Sequence, residues 1–437
     1  MSFRLKLFSI VSVGLFCCQI GFSQQLTRSP FSRYGVGDVL NNSTSRNEAM
    51  GGIGIASNNY FSLNRLNPAS YSDLVFTTMD ISGFGQFSTL RSNSSSEEEA
   101  SAGFQNIFFG FPANSKLALA FGFSPYSVVG YDVSATQDIP YRDTLQQSTV
   151  SYIGDGGINQ AFLGASVKLL NGKLRIGGNL AYSFGNTRYR TETFNDNDSG
   201  GNLVLDLSEE VFVGGFSTQI GVIYEDTLSS KEGPEDILFR LGATTDFNFD
   251  LTGDRDIVLN TQGGTQIFTT DTISSTEGAI VLPTQLGVGV NFNQIGKWSL
   301  GADLRYQNWS TFRSFGEDPG LDTELRIGLG GEWIPNYQSL KYFPRIHYRA
   351  GFFFKNSYVT FEDEPISDIG FTLGLGLPAT PSAMDRFNPG RTTSKINLSF
   401  TLGRRGSLDT LPLEELYVRV RLGITLNDRW FVKRVVD

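Results

Sequence analysis

Few side chains in this sequence could support catalysis. The 437-residue chain has one histidine, His347, and its two cysteines are the neighbours Cys17 and Cys18. A hydrolase triad would need a serine held against that histidine by a third group, and the sequence has no Gly-x-Ser-x-Gly elbow. No glycine loop followed by Lys-Ser or Lys-Thr could hold a phosphate. Because one histidine offers too few ligands for a transition metal, we expect no enzyme activity, no metal site and no cofactor.

The charged residues fall into two groups. The acidic tract Glu97-Glu98-Glu99 could attract a cation, but such runs are usually solvated, so we interpret it as a loop tip. The second group recurs at alternate positions within apolar segments, which places it on one face of a strand. Opposite charges on facing strands can form ion pairs that hold a structure together; a substrate role and an anion-selective pore are the alternatives. This group comprises Arg240, Asp303, Arg305, Arg326, Glu332, Arg349, Arg419 and Arg421.

The dominant signal along the chain is an alternation of apolar and polar residues, which is typical of strands. Between Val418 and Leu426, for example, valine, leucine and isoleucine alternate with arginine, glycine and threonine. The segments run to about 9–14 residues, enough for a tilted strand to cross a bilayer, whereas soluble strands are shorter. The 49 glycines and 36 phenylalanines also suit a large membrane barrel. We expect about fourteen strands, near 73–82, 103–111, 115–125, 157–170, 173–190, 204–226, 236–252, 282–294, 297–309, 322–334, 342–354, 366–378, 393–404 and 414–427.

The connections between these segments are predicted to alternate in length. Asn171-Gly172 is a strong signal for a two-residue hairpin. Long loops are expected at 91–102, 126–156 and 253–281. Tight turns at one end and long loops at the other are typical of membrane barrels. Their strands must close into a ring because lipid offers no partner to an open edge. The fold class is therefore all-β, a single transmembrane antiparallel barrel formed by residues 73–437.

The N-terminus has the features of a cleaved secretory signal peptide, residues 1–23. Arg4 and Lys6 precede an apolar stretch, and Gly21-Phe22-Ser23 supplies small residues before the expected cleavage. The stretch is too short for a transmembrane helix. Export would remove both cysteines. It would also remove two of the 35 basic residues and none of the 44 acidic ones, leaving a charge of −11. That charge argues against nucleic acid as a partner, and we expect the chain in the outer membrane of a Gram-negative cell.

Residues 24–72 lack clean alternation. They contain Gly51-Gly52-Ile53-Gly54 and Asn67-Pro68-Ala69, and a short helix is predicted near Ser45 to Met50. A flexible leader is one interpretation. The other is a plug inside the barrel, because about fourteen strands enclose a space that wall side chains alone cannot fill.

The sequence from Arg46 through these glycines to Asn67-Pro68-Ala69 resembles the N-terminal hatch of the long-chain fatty-acid transporter (FadL) family, in a distant branch. The resemblance implies a fourteen-stranded barrel with residues 24–72 as a hatch inside its lumen. The chain departs from the family's pattern at Arg65-Leu66, where an aromatic residue is common, and at Ser70, where glycine is usual. The residues that match the hatch motif are Met50, Gly51, Gly52, Gly54, Asn67, Pro68 and Ala69.

The resemblance also implies passive uptake of hydrophobic small molecules, through a lumen pocket and a lateral exit at a break in the third strand. Gly122 and Pro125 stand where such a gate is expected, because glycine weakens a strand and proline cannot donate to its ladder. An ordinary strand end is the alternative. Candidate ligand contacts are Phe31, Tyr34, Tyr60 and Phe61, although core packing explains these aromatic residues equally well.

Two other functions are compatible with the same pattern. One is an accessory barrel that transports nothing and partners an outer-membrane secretion or assembly complex. The other is a general porin. The partners expected are outer-membrane lipid, a hydrophobic small-molecule ligand and, for an accessory barrel, another outer-membrane protein; the barrel itself is expected to be monomeric.

Overall fold

The computed structural model describes residues 27–57, 60–141, 144–195, 203–228, 236–248, 250–263, 266–362, 364–379 and 394–428. The expected signal peptide, residues 1–23, lies outside these ranges. Within them, no helix is both long enough and apolar enough to cross a membrane.

Regular structure in the described ranges is almost entirely β-strand. One short helix, α1 (Ser45–Glu48), and a 3-10 turn at Pro68–Asp73 precede the long strands. The strands are β1 (Asp38–Val39), β2 (Thr77–Ser92), β3 (Ser96–Pro112), β4 (Leu117–Tyr141), β5 (Thr144–Leu169), β6 (Leu174–Asn195), β7 (Leu203–Leu228), β8 (Ile237–Asn248), β9 (Leu251–Gly263), β10 (Gln266–Val281), β11 (Gln285–Gln294), β12 (Trp298–Asn308), β13 (Arg313–Ser314), β14 (Thr323–Trp333), β15 (His347–Phe361), β16 (Glu364–Pro378), β17 (Lys395–Arg405) and β18 (Leu413–Asp428).

The long strands close into one antiparallel ring. Each pairs with its neighbours, and β18 returns to pair with β2, from Asp428 opposite Thr77 to Leu413 opposite Ser92. Two members of the ring are interrupted. Strand β7 pairs with β8 along one half of its length and with β9 along the other. On their other side, β8 pairs with β11 and β9 pairs with β10. With each interrupted pair counted as one strand, the ring has fourteen members, which confirms the predicted fold class.

The outer face of the ring is apolar. In β18, Val418, Leu422 and Ile424 point outward and are exposed, whereas Arg421 and Thr425 point inward and are buried. The same alternation runs through the neighbouring strands. A closed sheet with an apolar outside and a polar inside satisfies its own backbone hydrogen bonds in lipid, which is the requirement for a membrane barrel.

The wall is much taller on one side than on the other. Strands β11, β12, β14 and β17 have 10 or 11 residues, whereas β4 to β7 have 22 to 26. About 9–11 residues suffice to cross a bilayer. The extra length lies at one end, here called the far end. The other, where β2 begins and β18 ends, is the terminal end.

The prediction of long loops was therefore wrong. Residues 126–141 and 144–156 belong to β4 and β5, residues 253–263 and 266–281 belong to β9 and β10, and the tract Glu97 to Glu99 lies in β3. Outside the bilayer, both faces of a strand meet water. In these parts of β4, β5, β9 and β10 the apolar alternation that marks a strand in the sequence is lost, although the backbone ladder continues.

The outward orientation of β14 leads to a stability prediction. Leu329, which is 49% exposed on the outer face, should tolerate arginine poorly. We expect Leu329→Arg to lower the free energy of unfolding by about 2–4 kcal/mol, as a cation does near the centre of a bilayer. Denaturant unfolding of the barrel in lipid vesicles would measure the change. The control is Leu340→Arg, since Leu340 is exposed in the turn before β15 at the terminal end. Equal effects of the two substitutions would contradict the assignment of the outer face to lipid.

Candidate functional site

The segment before β2 lies inside the ring and is named the plug (described residues 27–57 and 60–76). From Ser43 to Ser57 every residue is buried. Glycines allow its backbone to lie against the wall. A Cβ on Gly51, which has φ of +70°, would sit 2.5 Å from the Phe352 carbonyl oxygen and 2.7 Å from that of Leu329. The backbone of Met50 and Gly51 therefore lies flat against strands β14 and β15, Gly52 lies beside Arg326 of β14, and Gly54 packs within the plug against Asn47, Asn64 and Leu66.

The Asn67-Pro68-Ala69 triplet anchors the second half of the plug. The Asn67 side chain accepts a hydrogen bond from the Ala69 amide at 3.0 Å and donates one to the Ile55 carbonyl at 2.7 Å. It thereby caps the 3-10 turn and ties it to the glycine-rich stretch. A Cβ on Gly177 of β6 would lie 2.5 Å from the backbone of Pro68, so this turn also packs directly on the wall.

Three of the predicted lumen charges bind the plug backbone. Asp303 accepts hydrogen bonds from the amides of Gly54 at 2.6 Å and Ile55 at 2.9 Å. Arg305 donates to the Gly52 carbonyl at 2.7 Å, and Arg326 donates to that of Gly51 at 3.2 Å. A carboxylate and two guanidiniums thus satisfy backbone groups that a buried irregular segment would otherwise leave without partners.

Other lumen charges form ion pairs with plug side chains. Arg421 contacts Glu48 at 3.1 Å, and Glu332 contacts Arg46 at 3.4 Å. Glu332 also accepts from Arg349 at 2.7 Å. Arg419 reaches no plug residue through a hydrogen bond or ion pair within the described ranges; it donates to Gln86 on β2 at 2.6 Å.

A third ion-pair cluster lies near the terminal end. Asp73, at the end of the plug's 3-10 turn, contacts Arg175 at 2.6 Å and Arg240 at 2.9 Å. Glu225 on β7 contacts the same two arginines. Sequence reasoning singled out Arg240 but missed Asp73, Arg175, Glu225 and Glu48. Their partners lie 15 to 373 positions away, and the plug has no periodic pattern that would identify its inward-facing acids.

Two of the plug carboxylates, Glu48 and Asp73, are held in their charged form. Burial raises the pKa of Glu48, but Arg421 and Arg326 outweigh burial and bring it from 4.5 to about 2. Burial likewise opposes the charge of Asp73, and Arg240 and Arg175 keep its pKa below the ordinary value. Both acids therefore remain ionised at neutral pH and attract the wall.

A seam opens in the wall between β3 and β4. These strands pair only from Ile107 opposite Phe123 down to Pro112 opposite Ala118. Towards the far end each strand continues with its other neighbour but not with this one. Gly122 lies in the last paired stretch, and a register shift follows Pro125. The two residues named as a possible lateral gate thus lie where the strands separate.

The plug occupies this seam. Strand β1 pairs with β4, Asp38 opposite Val128 and Val39 opposite Ser127, and the Leu40 amide donates to the Tyr126 carbonyl at 2.9 Å. On the other side, Gln105 of β3 donates to the Ser43 carbonyl at 2.8 Å. The N-terminal part of the plug is therefore hydrogen-bonded to both edges of the seam.

The four aromatic residues named as ligand contacts lie in two separate places. Phe31 lies near the far end, where Arg405 stacks over its ring at 5.6 Å, and Tyr34 is exposed nearby. Phe61, next to Tyr60, lies at the terminal end, where Lys395 approaches its ring at 5.9 Å. Lys395 and Arg405 are the two ends of β17, roughly 30 Å apart at the rise of an extended strand. The four aromatic side chains therefore do not line one common pocket.

The internal cavities are small and polar. Two cavities of about 80 Å³ each remain around the plug. Charged residues line them: Arg65, Asp246 and Arg305 the first, Glu48, Arg405 and Arg421 the second. An apolar molecule there would cover these charged groups without forming hydrogen bonds to them, which is unfavourable. A larger cavity of about 380 Å³ lies at the terminal end.

The closed ring, the polar lumen and the internal plug define the class: a barrel of the FadL type, closed by its own N-terminal segment. The toluene transporter TodX of Pseudomonas putida is 14% identical to this chain with a TM-score of 0.53, over 91% of this chain and 99% of that chain. A FadL homologue of Pseudomonas aeruginosa is 11% identical with a TM-score of 0.56, over 88% and 98%. At such identities the likeness shows the fold alone.

A family model narrows the class further. The model described as BamG matches residues 5–437. The chain belongs to the BamG family. No protein with a curated description matches it.

The lowered pKa of Glu48 predicts a pH-dependent plug. A pKa lowered on folding contributes stability above the ordinary value of 4.5 and loses it as the pH falls towards 2. We expect Glu48→Gln to lower the free energy of unfolding by about 3 kcal/mol near neutral pH, and the difference from wild type to shrink between pH 4.5 and about 2. Denaturant unfolding at a series of pH values would measure it. Glu97→Gln, at an exposed site, is the control; a difference that stays constant with pH would contradict the prediction.

Proposed function

We propose that this chain is an accessory barrel of the outer membrane, which transports nothing and supports another outer-membrane protein. The observation that carries the proposal is the set of buried ion pairs between the plug and the wall. The plug's side chains pair with β5, β6 and β8 through Asp73, with β14 through Arg46 and with β18 through Glu48. A pore would need these contacts to open.

The energetics of opening favour a static plug. Separating a buried ion from its partner costs about 3–5 kcal/mol, because the remaining charge stays buried without compensation. Passive transport would have to recover that cost at several pairs from the binding of one small apolar molecule. The charged cavities of about 80 Å³ beside the plug offer such a molecule little favourable contact.

The tall side of the wall supplies a surface for a partner. In β7, Leu205 and Leu207 point outward and are exposed, whereas Asp206 between them is buried. They lie well beyond the part of β7 that pairs with β8, and therefore beyond the length that a bilayer requires. Ile273 of β10 is exposed in the same raised region. Apolar side chains on a sheet that rises above the membrane suit contact with a neighbouring protein.

Uptake of hydrophobic small molecules is the second candidate function. The separation of β3 from β4 favours it, as does the fold shared with proteins described as toluene transporters. In that case the plug residues in the seam would act as the movable seal, Gly122 and Pro125 as the gate, and Phe31 and Tyr34 at the far end as the first ligand contacts. A general porin is less compatible with a filled lumen.

A disulfide across the seam separates the two functions. Val39 and Ser127 face each other between hydrogen-bonded pairs, where antiparallel Cα atoms lie about 4.5 Å apart, within disulfide range. We expect oxidised Val39→Cys/Ser127→Cys barrels to behave as wild-type barrels do. In proteoliposomes, neither form should pass an aromatic hydrocarbon or a small sugar faster than empty vesicles.

The uptake hypothesis predicts the opposite result in proteoliposomes. Wild-type barrels would admit the hydrocarbon, oxidation of the double variant would stop that flux, and a thiol reductant would restore it. The single variant Val39→Cys controls for the substitution itself. Hydrocarbon flux that follows the redox state of the disulfide would overturn the accessory proposal.

The partner surface has its own test. A photo-crosslinking residue at position 207 should capture one discrete outer-membrane protein in living cells, and Leu205→Asp should weaken that product several-fold by disrupting the apolar contact. The same crosslinker at position 300, where Leu300 lies in the lipid-facing belt, is the control. Products at position 207 that match those at position 300 would count against a docking surface.

A further inference from the structure

The cavity at the terminal end differs from those around the plug. It has a volume of about 380 Å³ and lies between the plug and the ends of β11, β12, β14 and β17. Part of its lining is apolar: Tyr60, Ile295, Trp298, Ile334 and Tyr337. It could therefore accept an apolar group of several carbon atoms.

The rest of the lining is predominantly cationic. Among the described lining residues, Arg46, Lys297, Arg345 and Lys395 are cations, and Glu332 is the single carboxylate. Glu332 is already engaged by Arg349 at 2.7 Å. The cavity thus combines an apolar wall with an excess of positive charge, which suits an anion that carries an apolar tail.

Arg46 is the best-placed anion ligand. Its side chain belongs to α1 of the plug and is 4% exposed. Its guanidinium donates hydrogen bonds to Ser57 and Glu332, both 3.4 Å long. Because a guanidinium carries two N–H donors on each terminal nitrogen, one donor on each is left for an oxyanion in the cavity.

The mouth of the cavity meets the lipid-facing surface. Ile295 and Tyr337 line the cavity, and both are more than half exposed. Beside them, Trp333 is 57% exposed at the end of β14, and Phe343 is 74% exposed in the turn before β15. Aromatic residues at the end of an apolar belt mark the membrane interface. A molecule in the cavity could therefore extend directly into the adjacent leaflet.

We propose that this cavity binds the phosphate headgroup of an anionic glycerophospholipid from the adjacent leaflet. The phosphate lies against Arg46 and Lys395, and the acyl chains leave past Ile295 and Tyr337 into the bilayer. The site requires only that the barrel sits in a membrane, and it is independent of whether the barrel transports a solute.

The experiment measures lipid retention by the purified full-length barrel in a neutral sugar detergent. Short-chain phosphatidylglycerol is the probe, the matching diacylglycerol lacks the phosphate, and inorganic phosphate lacks the chains. Native mass spectrometry should show one phosphatidylglycerol retained per barrel. Lys395→Gln should weaken its affinity about tenfold, the effect of losing one charged hydrogen bond. Lys395→Arg should restore it, and Lys341→Gln, outside the cavity lining, should leave it unchanged.

Three outcomes would overturn the proposal. Diacylglycerol that binds as tightly as phosphatidylglycerol would make the cavity merely apolar. Inorganic phosphate that binds as tightly as the lipid would make it a site for free phosphate. If folded Lys395→Gln barrels bind phosphatidylglycerol with unchanged affinity, the charge of Lys395 does not contribute to lipid binding. If Lys395→Gln does not fold, Tyr337→Glu at the exposed mouth places a carboxylate in the lipid's path and should weaken retention by a similar factor.

Discussion

A charge buried inside a barrel needs an opposite charge or hydrogen-bonding groups beside it, and this constraint makes wall and plug depend on each other. Arg240 is completely buried, and its partners are Asp73 on the plug and Glu225 on β7. Without the plug, Arg175 and Arg240 would share one carboxylate, and Arg421 would lose Glu48. An uncompensated buried ion is far more costly than a surface one. The wall charges and the plug charges therefore specify one another.

The same interdependence explains the seam. Backbone groups at a strand edge need partners wherever water is excluded. Beyond Phe123, towards the far end, β3 and β4 no longer pair with each other. On the β4 side, two residues of β1 pair with β4 instead, and on the β3 side the Gln105 side chain donates to the plug. The plug thus completes the wall as well as filling the lumen. A segment with both roles is held more firmly than one that only blocks a channel.

The sequence predicted the parts of this structure that have a period. Alternation along β18, from Val418 to Leu426, identified the lipid face. The same alternation in β12 and β14 placed Asp303, Arg305 and Arg326 inside the ring, where they lie. Periodicity could not reveal the upper halves of β4 and β5, since strands with water on both faces carry no apolar alternation. Nor could it pair Glu48 with Arg421, because the position of an irregular segment is set by tertiary packing. For the same reason the sequence suggested Phe31 and Phe61, both in the plug, as contacts of one ligand, although they lie at opposite ends of β17.

A shared fold leaves function to be decided by the site. At 11 to 14% identity, a FadL-type wall can be retained while the lumen chemistry changes. A plug that must move to admit a ligand is best held by polar groups that water can hydrogen-bond once the plug has moved, because breaking such contacts costs little free energy. Here the contacts are buried carboxylate–guanidinium pairs at the terminal end and midway along the lumen, with glycine backbones pressed against β14 and β15 between them. Such contacts favour a fixed interior, which leaves the raised outer face of β4 to β7 and the lipid-facing rim as the surfaces on which this barrel can act.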